Sequence, residues 1–135
     1  MAGLKVNGID DLMDELDLMT KGTPEMIDRM LMAGADVVTQ AMKEETEAAG
    51  LIDTGAMYKS IRPTKPKEKA GLHSIEVYPQ GKDKKGVRNI EKAFINNYGT
   101  KGQKRKIPAT HFIEKAIEKS ESGVYYAMQD VFNEY

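Results

Sequence analysis

Residues 23–50 read TPEMIDRMLMAGADVVTQAMKEETEAAG, and their spacing decides the fold. Thr23 can cap free amides, Pro24 tolerates the first helical position and Glu25 suits the positive end of a helix. Met26, Ile27, Met30, Leu31, Gly34, Val37, Val38, Ala41 and Met42 then recur at helical spacing as one continuous apolar stripe. Gly50 is the expected stop, so the stretch predicts a single helix of about 25 residues. Its acidic members, Asp28, Asp36, Glu44, Glu45 and Glu47, fall mostly off the stripe and face solvent or a neighbour.

On the N-terminal side, Ile9, Leu12, Met13, Leu16 and Met19 recur at spacings of three and four, which predicts a helical arm within residues 1–22. On the C-terminal side, Asp53 in Leu51-Ile52-Asp53-Thr54-Gly55 is placed to cap a short turn of helix that brings Ala56, Met57 and Ser60 together. Pro63 and Pro66 confine residues 61–67 to an edge strand or an irregular extended segment. An Ala70-Gly71 turn leads into residues 73–79, whose alternation of apolar and polar side chains predicts one strand.

Residues 80–89 carry two glycines and four basic residues and read as an exposed, mobile loop or hairpin. Ile90, Ala93, Phe94 and Asn97 favour a short helix over a strand. A second basic loop at residues 99–107 is stopped by Pro108. From Ala109–His111 onward, Phe112, Ile113, Ala116, Ile117, Ser120, Val124, Met128, Val131 and Phe132 form a last amphipathic stripe interrupted only by Gly123. The expected fold is therefore α+β, a single domain over residues 1–135. Its long N-terminal helix and its C-terminal helix pack on a small antiparallel sheet.

The chain has 135 residues and no cysteine, which removes disulfides, thiolate metal sites and cysteine nucleophiles together and suits folding in a reducing cytosol. No apolar run of signal-peptide length opens the chain and no uncharged stretch of spanning length occurs, so a soluble protein without a membrane span is expected. The net charge of −1 conceals segregation: residues 1–58 carry 4 basic and 12 acidic side chains, residues 59–106 carry 14 and 4, and residues 107–135 carry 2 and 5. Such asymmetry fits either a nucleic-acid face or copies that meet acidic side to basic side.

No catalytic constellation emerges. His73 and His111 stand too far apart in sequence for a zinc-binding pair on one helix, and each reads as structural, His73 in a hairpin and His111 in the first turn of the last helix. The lysines around Gly86 lack the strand-loop-helix setting of a phosphate loop. Asp53-Thr54-Gly55 carries the letters of an aspartic-protease carboxylate, but only one copy exists and chemistry would need two. The 14 basic residues of the middle block could neutralise phosphates, yet aromatics are not interleaved with them and no recognition helix is present. The nine methionines lie mostly on helix stripes and are assigned to the core.

Three segments, in order, resemble the neck and tail-completion proteins of long-tailed bacteriophages, also described as head-tail joining or minor tail components. Leu51, Asp53, Thr54, Gly55, Met57, Ser60 and Ile61 are similar to the family's Leu-x-Asp-Thr-Gly-x-Leu-x-x-Ser-Ile, with Met57 in place of leucine. Ala93 through Tyr98, Gly99 and Thr100 resemble aromatic-Ala-x-x-x-Glu-x-Gly-Thr, with Lys92 for the aromatic and Asn97 for the glutamate. Pro108, Ala109, Phe112, Ile113 and Ala116 resemble Pro-Ala-x-Pro-Phe-Leu-x-x-Ala, with His111 for the second proline.

The resemblance implies a virion structural protein made in the host cytoplasm, with no cofactor and no turnover. It would form a ring, commonly six-fold, between the DNA-filled head and the tail, and touch connector and tail proteins. The motif residues would then be structural: Gly55 and Gly99 permit tight turns, Asp53 caps, and Phe112 anchors the last helix against the sheet. Charge segregation adds candidate contacts between subunits or with channel DNA: Lys82, Lys84, Lys85, Arg88, Lys101, Lys104, Arg105 and Lys106, with Asp28, Asp36, Glu44 and Glu45 as acceptors. A small nucleic-acid-binding or regulatory protein using residues 59–106 is the alternative reading.

Overall fold

The computed structural model describes residues 24–51, 55–101 and 106–134. The helical arm expected at residues 9–19 lies outside the described residues, as do Asp53, Thr54, Lys104 and Arg105.

Helix α1 runs Pro24–Ala48, as the stripe predicts, with Met26, Ile27, Met30, Leu31, Gly34, Ala35, Val38, Ala41 and Met42 buried. It ends in paired reverse bonds: the Leu51 amide donates to the Thr46 carbonyl at 3.0 Å and the Gly50 amide to the Glu47 carbonyl at 3.0 Å. That arrangement needs the left-handed φ of 71° that Gly50 adopts. Thr46, fully buried, satisfies its hydroxyl by donating to the Met42 carbonyl at 2.7 Å.

Helix α2, Ala56–Ser60, is preceded by Gly55 at φ 80° with no side-chain cap. Gly55 enters the helix through a left-handed turn, while Asp53, which the sequence offers as the cap, lies outside the described residues.

Strand β1 (Ile61–Pro63) pairs antiparallel with β4 (Val77–Pro79), and β2 (Lys67–Lys69) with β3 (Leu72–Ser74). The single strand expected at residues 73–79 is broken. Thr64, Lys65 and Pro66 face only Ile75 and Glu76, so one side of the ribbon carries an extra residue at the proline, and the ladder bends there. The Thr64 amide donates to the Glu76 carbonyl at 2.8 Å and the Glu76 amide to the Thr64 hydroxyl at 3.2 Å, which holds the bend. The hairpin turn is Ala70-Gly71, with φ 53° and 80° as a two-residue turn of this hand requires.

Helix α3 (Asn89–Tyr98) follows, then the pair β5 (Thr100–Lys101) and β6 (Lys106–Ile107), then helix α4 (Phe112–Asn133). The architecture is α+β, and the strands among the described residues form three antiparallel pairs.

The core is one cluster joining α1 and α4 to Met57, Ile61, Ile75, Val77 and Ala93. The two long helices run antiparallel: Arg29 pairs with Glu134 at 2.7 Å near one end, and Lys119 pairs with Glu44 and, at 3.7 Å, with Glu45 toward the other. Glycines set their spacing. A Cβ on Gly34 would lie 3.2 Å from Val124 Cγ1, and one on Gly123 would lie 3.0 Å from Val37 Cγ1. Gly123, which the sequence marks as an interruption, sits inside a continuous helix. Its missing side chain lets α4 approach α1, which offsets a propensity cost of about 1 kcal/mol.

Candidate functional site

The three motif segments converge. Met57 and Ile61 from the first, Ala93 from the second, and Phe112, Ile113 and Ala116 from the third all belong to the same buried cluster. The second and third segments are also tied by backbone hydrogen bonds: the Thr110 and His111 amides donate to the Asn96 and Asn97 carbonyls, each at 3.0 Å.

Asn97, which the sequence marks as a helix-face residue and as a departure from the family pattern, is the pivot of this junction. It is fully buried. Its Oδ1 accepts from the Ile113 amide at 2.9 Å, and its Nδ2 donates to Glu114 Oε1 at 3.0 Å. The start of α4 therefore receives its cap from α3, because His111, at φ 52°, offers no side-chain cap of its own. His111 precedes the helix instead of occupying its first turn, and its Nδ1 lies 3.8 Å from Glu114 Oε2. Replacing Asn97 with alanine strands the buried Ile113 amide, and a loss of about 2 kcal/mol is expected. A denaturant titration with a lowered midpoint and unchanged slope is the check.

Gly99 stands two residues on, at φ 76° and ψ 175°, and its amide donates to the Ile95 carbonyl at 2.8 Å. A Cβ there would lie 2.7 Å from the Ile107 carbonyl oxygen and 2.8 Å from the Ala109 nitrogen. Backbone passes against backbone at this point. Thr100 accepts from the Ile107 amide through its hydroxyl at 3.2 Å, while Pro108 is exposed beside the crossing.

The first basic loop is built, where the sequence suggested mobility. Asp83 Oδ1 accepts from the Lys85 and Val87 amides, both at 2.9 Å, and the Asp83 amide donates to the Val87 carbonyl at 2.9 Å. Lys92, from α3, pairs with the other carboxylate oxygen, and Lys82 bridges to Arg88 across the loop. The sequence signal was available: an aspartate two residues before an amide in a Gly-containing loop makes this turn. The loop presents Lys82, Lys84, Lys85 and Arg88 to solvent, with Arg88 3.7 Å from Glu91.

Lys92 first, and then the Val87 amide, hold the Asp83 carboxyl below its ordinary value of 3.8. A depressed value in the folded state means that its contribution is present above that ordinary value and is lost as pH falls through the folded one. The Lys85 and Val87 amide resonances are therefore expected to hold steady down to pH 5 and to shift together only in stronger acid.

Of the proposed acceptors, Asp28 and Asp36 are exposed on α1, whereas Glu44 and Glu45 already face Lys119 of the same chain. Lys119, and after it Gln40, hold the Glu44 carboxyl below its ordinary value, and Glu44 in turn raises the Lys119 ammonium. Lys101 and Lys106 stand opposite each other in the β5–β6 pair. The described flanks of Asp53 join helix to helix, which is not the setting between strands that an aspartic-protease carboxylate needs. Among the described residues, no group of three histidine, aspartate or glutamate side chains is placed to hold a metal ion, and no helix is long and apolar enough to cross a membrane.

No curated protein and no solved structure matches the chain. A family model does, over residues 10–115, under the description "Bacteriophage HK97-gp10, putative tail-component". The match takes in the first two motif segments and the third through Lys115, in the first turn of α4. The chain belongs to the HK97-gp10-like family of bacteriophage tail components.

Proposed function

We propose that this protein is a neck or tail-completion component that joins the DNA-filled head of a long-tailed bacteriophage to its tail, as a closed ring of identical subunits and without turnover. The observation that carries the reading is the family's own junction: three separated segments are spent on one rigid core, which leaves the charged surfaces free for contacts. A basic loop stiffened by Asp83 is displayed on one part of the subunit, and Asp28 and Asp36 are displayed on the long helix. A ring needs two different surfaces that fit each other head to tail, and opposite charge favours that pairing over self-pairing of either patch.

Reversing Lys84, Lys85 and Arg105 together to glutamate tests the charge pairing. Infectious particle yield is expected to fall by at least tenfold while the purified variant keeps its unfolding midpoint. Unchanged yield would remove the basic loops from the contact.

A further inference from the structure

The β2–β3 hairpin is paired but buries no side chain of its own. Residues 67–72 are all exposed, Leu72 at 51%, and His73 and Ser74 are half-buried. A two-stranded hairpin without a packed face is marginal in water, so its direction is set at its root. Ile75 and Val77, each 3% exposed, anchor that root in the core, and the Thr64 and Glu76 bonds at the bend fix the angle at which the hairpin leaves it. Lys67 stands opposite Ser74 and Lys69 opposite Leu72, so these four share one face, while Glu68 and His73 fall on the other. The hairpin thus displays two lysines beside an exposed leucine.

The outer side of α4 has the complementary chemistry. The helix buries Phe112, Ile113, Ala116, Ser120, Val124 and Met128 and leaves the opposite side open. There Glu118, Glu121 and Tyr125 follow one another at spacings of three and four. Tyr125 is 53% exposed, and Tyr126, 65% exposed, meets its ring edge-on at a centroid distance of 5.7 Å. Neighbouring carboxylates are held within the chain, Glu114 by Asn97, Glu134 by Arg29, and Glu44 and Glu45 by Lys119. Glu118 and Glu121, like Lys67 and Lys69, have no ion-pair partner among the described residues. Lys67 and Lys69 lie about 7 Å apart along β2 and the two glutamates about 5–6 Å apart on the helix face, so the pairs can meet charge to charge.

We infer that the β2–β3 hairpin of one subunit docks across the outer side of α4 of the neighbouring subunit, Lys67 and Lys69 against Glu118 and Glu121, and Leu72 against Tyr125 and Tyr126. The inference rests on the ring proposed above and supplies one of its contacts. The fold selects a second copy as the occupant. Helix α1 carries α4 on one flank and the β1–β4 pair, from which the hairpin springs, on another, so the two surfaces do not meet within one chain. Two different surfaces on different sides of a subunit are what a head-to-tail ring uses. The exposed leucine and tyrosines favour protein over nucleic acid, because a phosphate backbone matches the lysines and offers nothing to the apolar groups. The bend sets the hairpin's angle before contact, which lowers the ordering cost of docking.

Complementation of a phage lacking this protein tests the contact. Lys67→Glu/Lys69→Glu and Glu118→Lys/Glu121→Lys should each lower the yield of infectious particles roughly tenfold or more, and the variant carrying all four changes should recover most of it. All four side chains are exposed, so each purified variant should keep the wild-type unfolding midpoint. The absence of cysteine allows a second reading that leaves these charges in place. A short bis-maleimide applied to a mixture of Ser74→Cys and Ser122→Cys subunits, purified and in assembled particles, should give a covalent dimer in at least one preparation that neither variant gives alone. Unchanged yield after either reversal, no recovery in the fourfold variant, or no dimer in either preparation would each overturn the inference. Lost yield without recovery, together with weakened duplex DNA binding by Lys67→Glu/Lys69→Glu, would assign the hairpin to DNA instead. Detached tails in the mutant lacking the protein, with neither recovery nor cross-link, would leave the joining role standing and remove this contact. Overlong tails in that mutant, with both recovery and cross-link, would do the reverse.

Discussion

Phe112→Ala is expected to destabilise the protein by about 3–5 kcal/mol, the range for deleting a buried aromatic ring. Phe112 is fully buried and is the largest of the fully buried side chains. It is the first residue of α4 and belongs to the cluster that also takes in α1, Met57, Ile61 and Ala93. Collapse around the cavity is restricted because neighbouring backbone is already pinned by the Asn97 cap and the Gly99 crossing. For a domain of this size the loss is about a fifth or more of a total stability of about 5–15 kcal/mol. A lowered denaturation midpoint with retained slope, and Phe112→Leu falling between alanine and wild type, would support packing as the cause.

Gly99→Ala is the second large effect, expected at about 3 kcal/mol or more from two separate sources. At φ 76° and ψ 175° the backbone occupies a region that is nearly glycine-only. The added methyl would also press on the Ile107 carbonyl oxygen and the Ala109 nitrogen, which are main-chain atoms that cannot rotate aside. Gly50, also at positive φ but with nothing within 4 Å of its would-be Cβ, is the internal comparison: Gly50→Ala carries only the conformational cost, about 1–2 kcal/mol. Equal losses at the two positions would mean that the close approach at Gly99 contributes nothing.

The long helices were legible because helical spacing and its stops are local signals: Pro24 opens α1, Gly50 closes it, and Phe112 to Phe132 mark one face of α4. The short helix at 89–98 was legible on the same grounds, from Ile90, Ala93 and Asn97. The breaks were not. An extra residue at Thr64–Pro66 divides the ribbon, yet the alternation of residues 73–79 continues through the division, so periodicity alone reads one strand. Gly123 looks like an interruption until Val37 is placed against it, and that contact is remote in sequence.

The junction residues show the same boundary. Asn97 acts on an amide 16 positions away, and nothing near it in sequence announces a cap. Its departure from the family's glutamate is chemically mild, since the amide oxygen still accepts from Ile113, while the amide nitrogen adds a donor to Glu114. The charge blocks were countable, but counting alone pairs Glu44 and Glu45 with a neighbour's basic loop, and the fold brings Lys119 to them within the chain.

The joining role itself is tested most directly by electron microscopy of lysates from a phage carrying a nonsense mutation in this gene. Filled heads beside detached tails of normal length are the expected result. Overlong tails would assign the protein to tail termination instead, and intact wild-type virions would contradict the account outright.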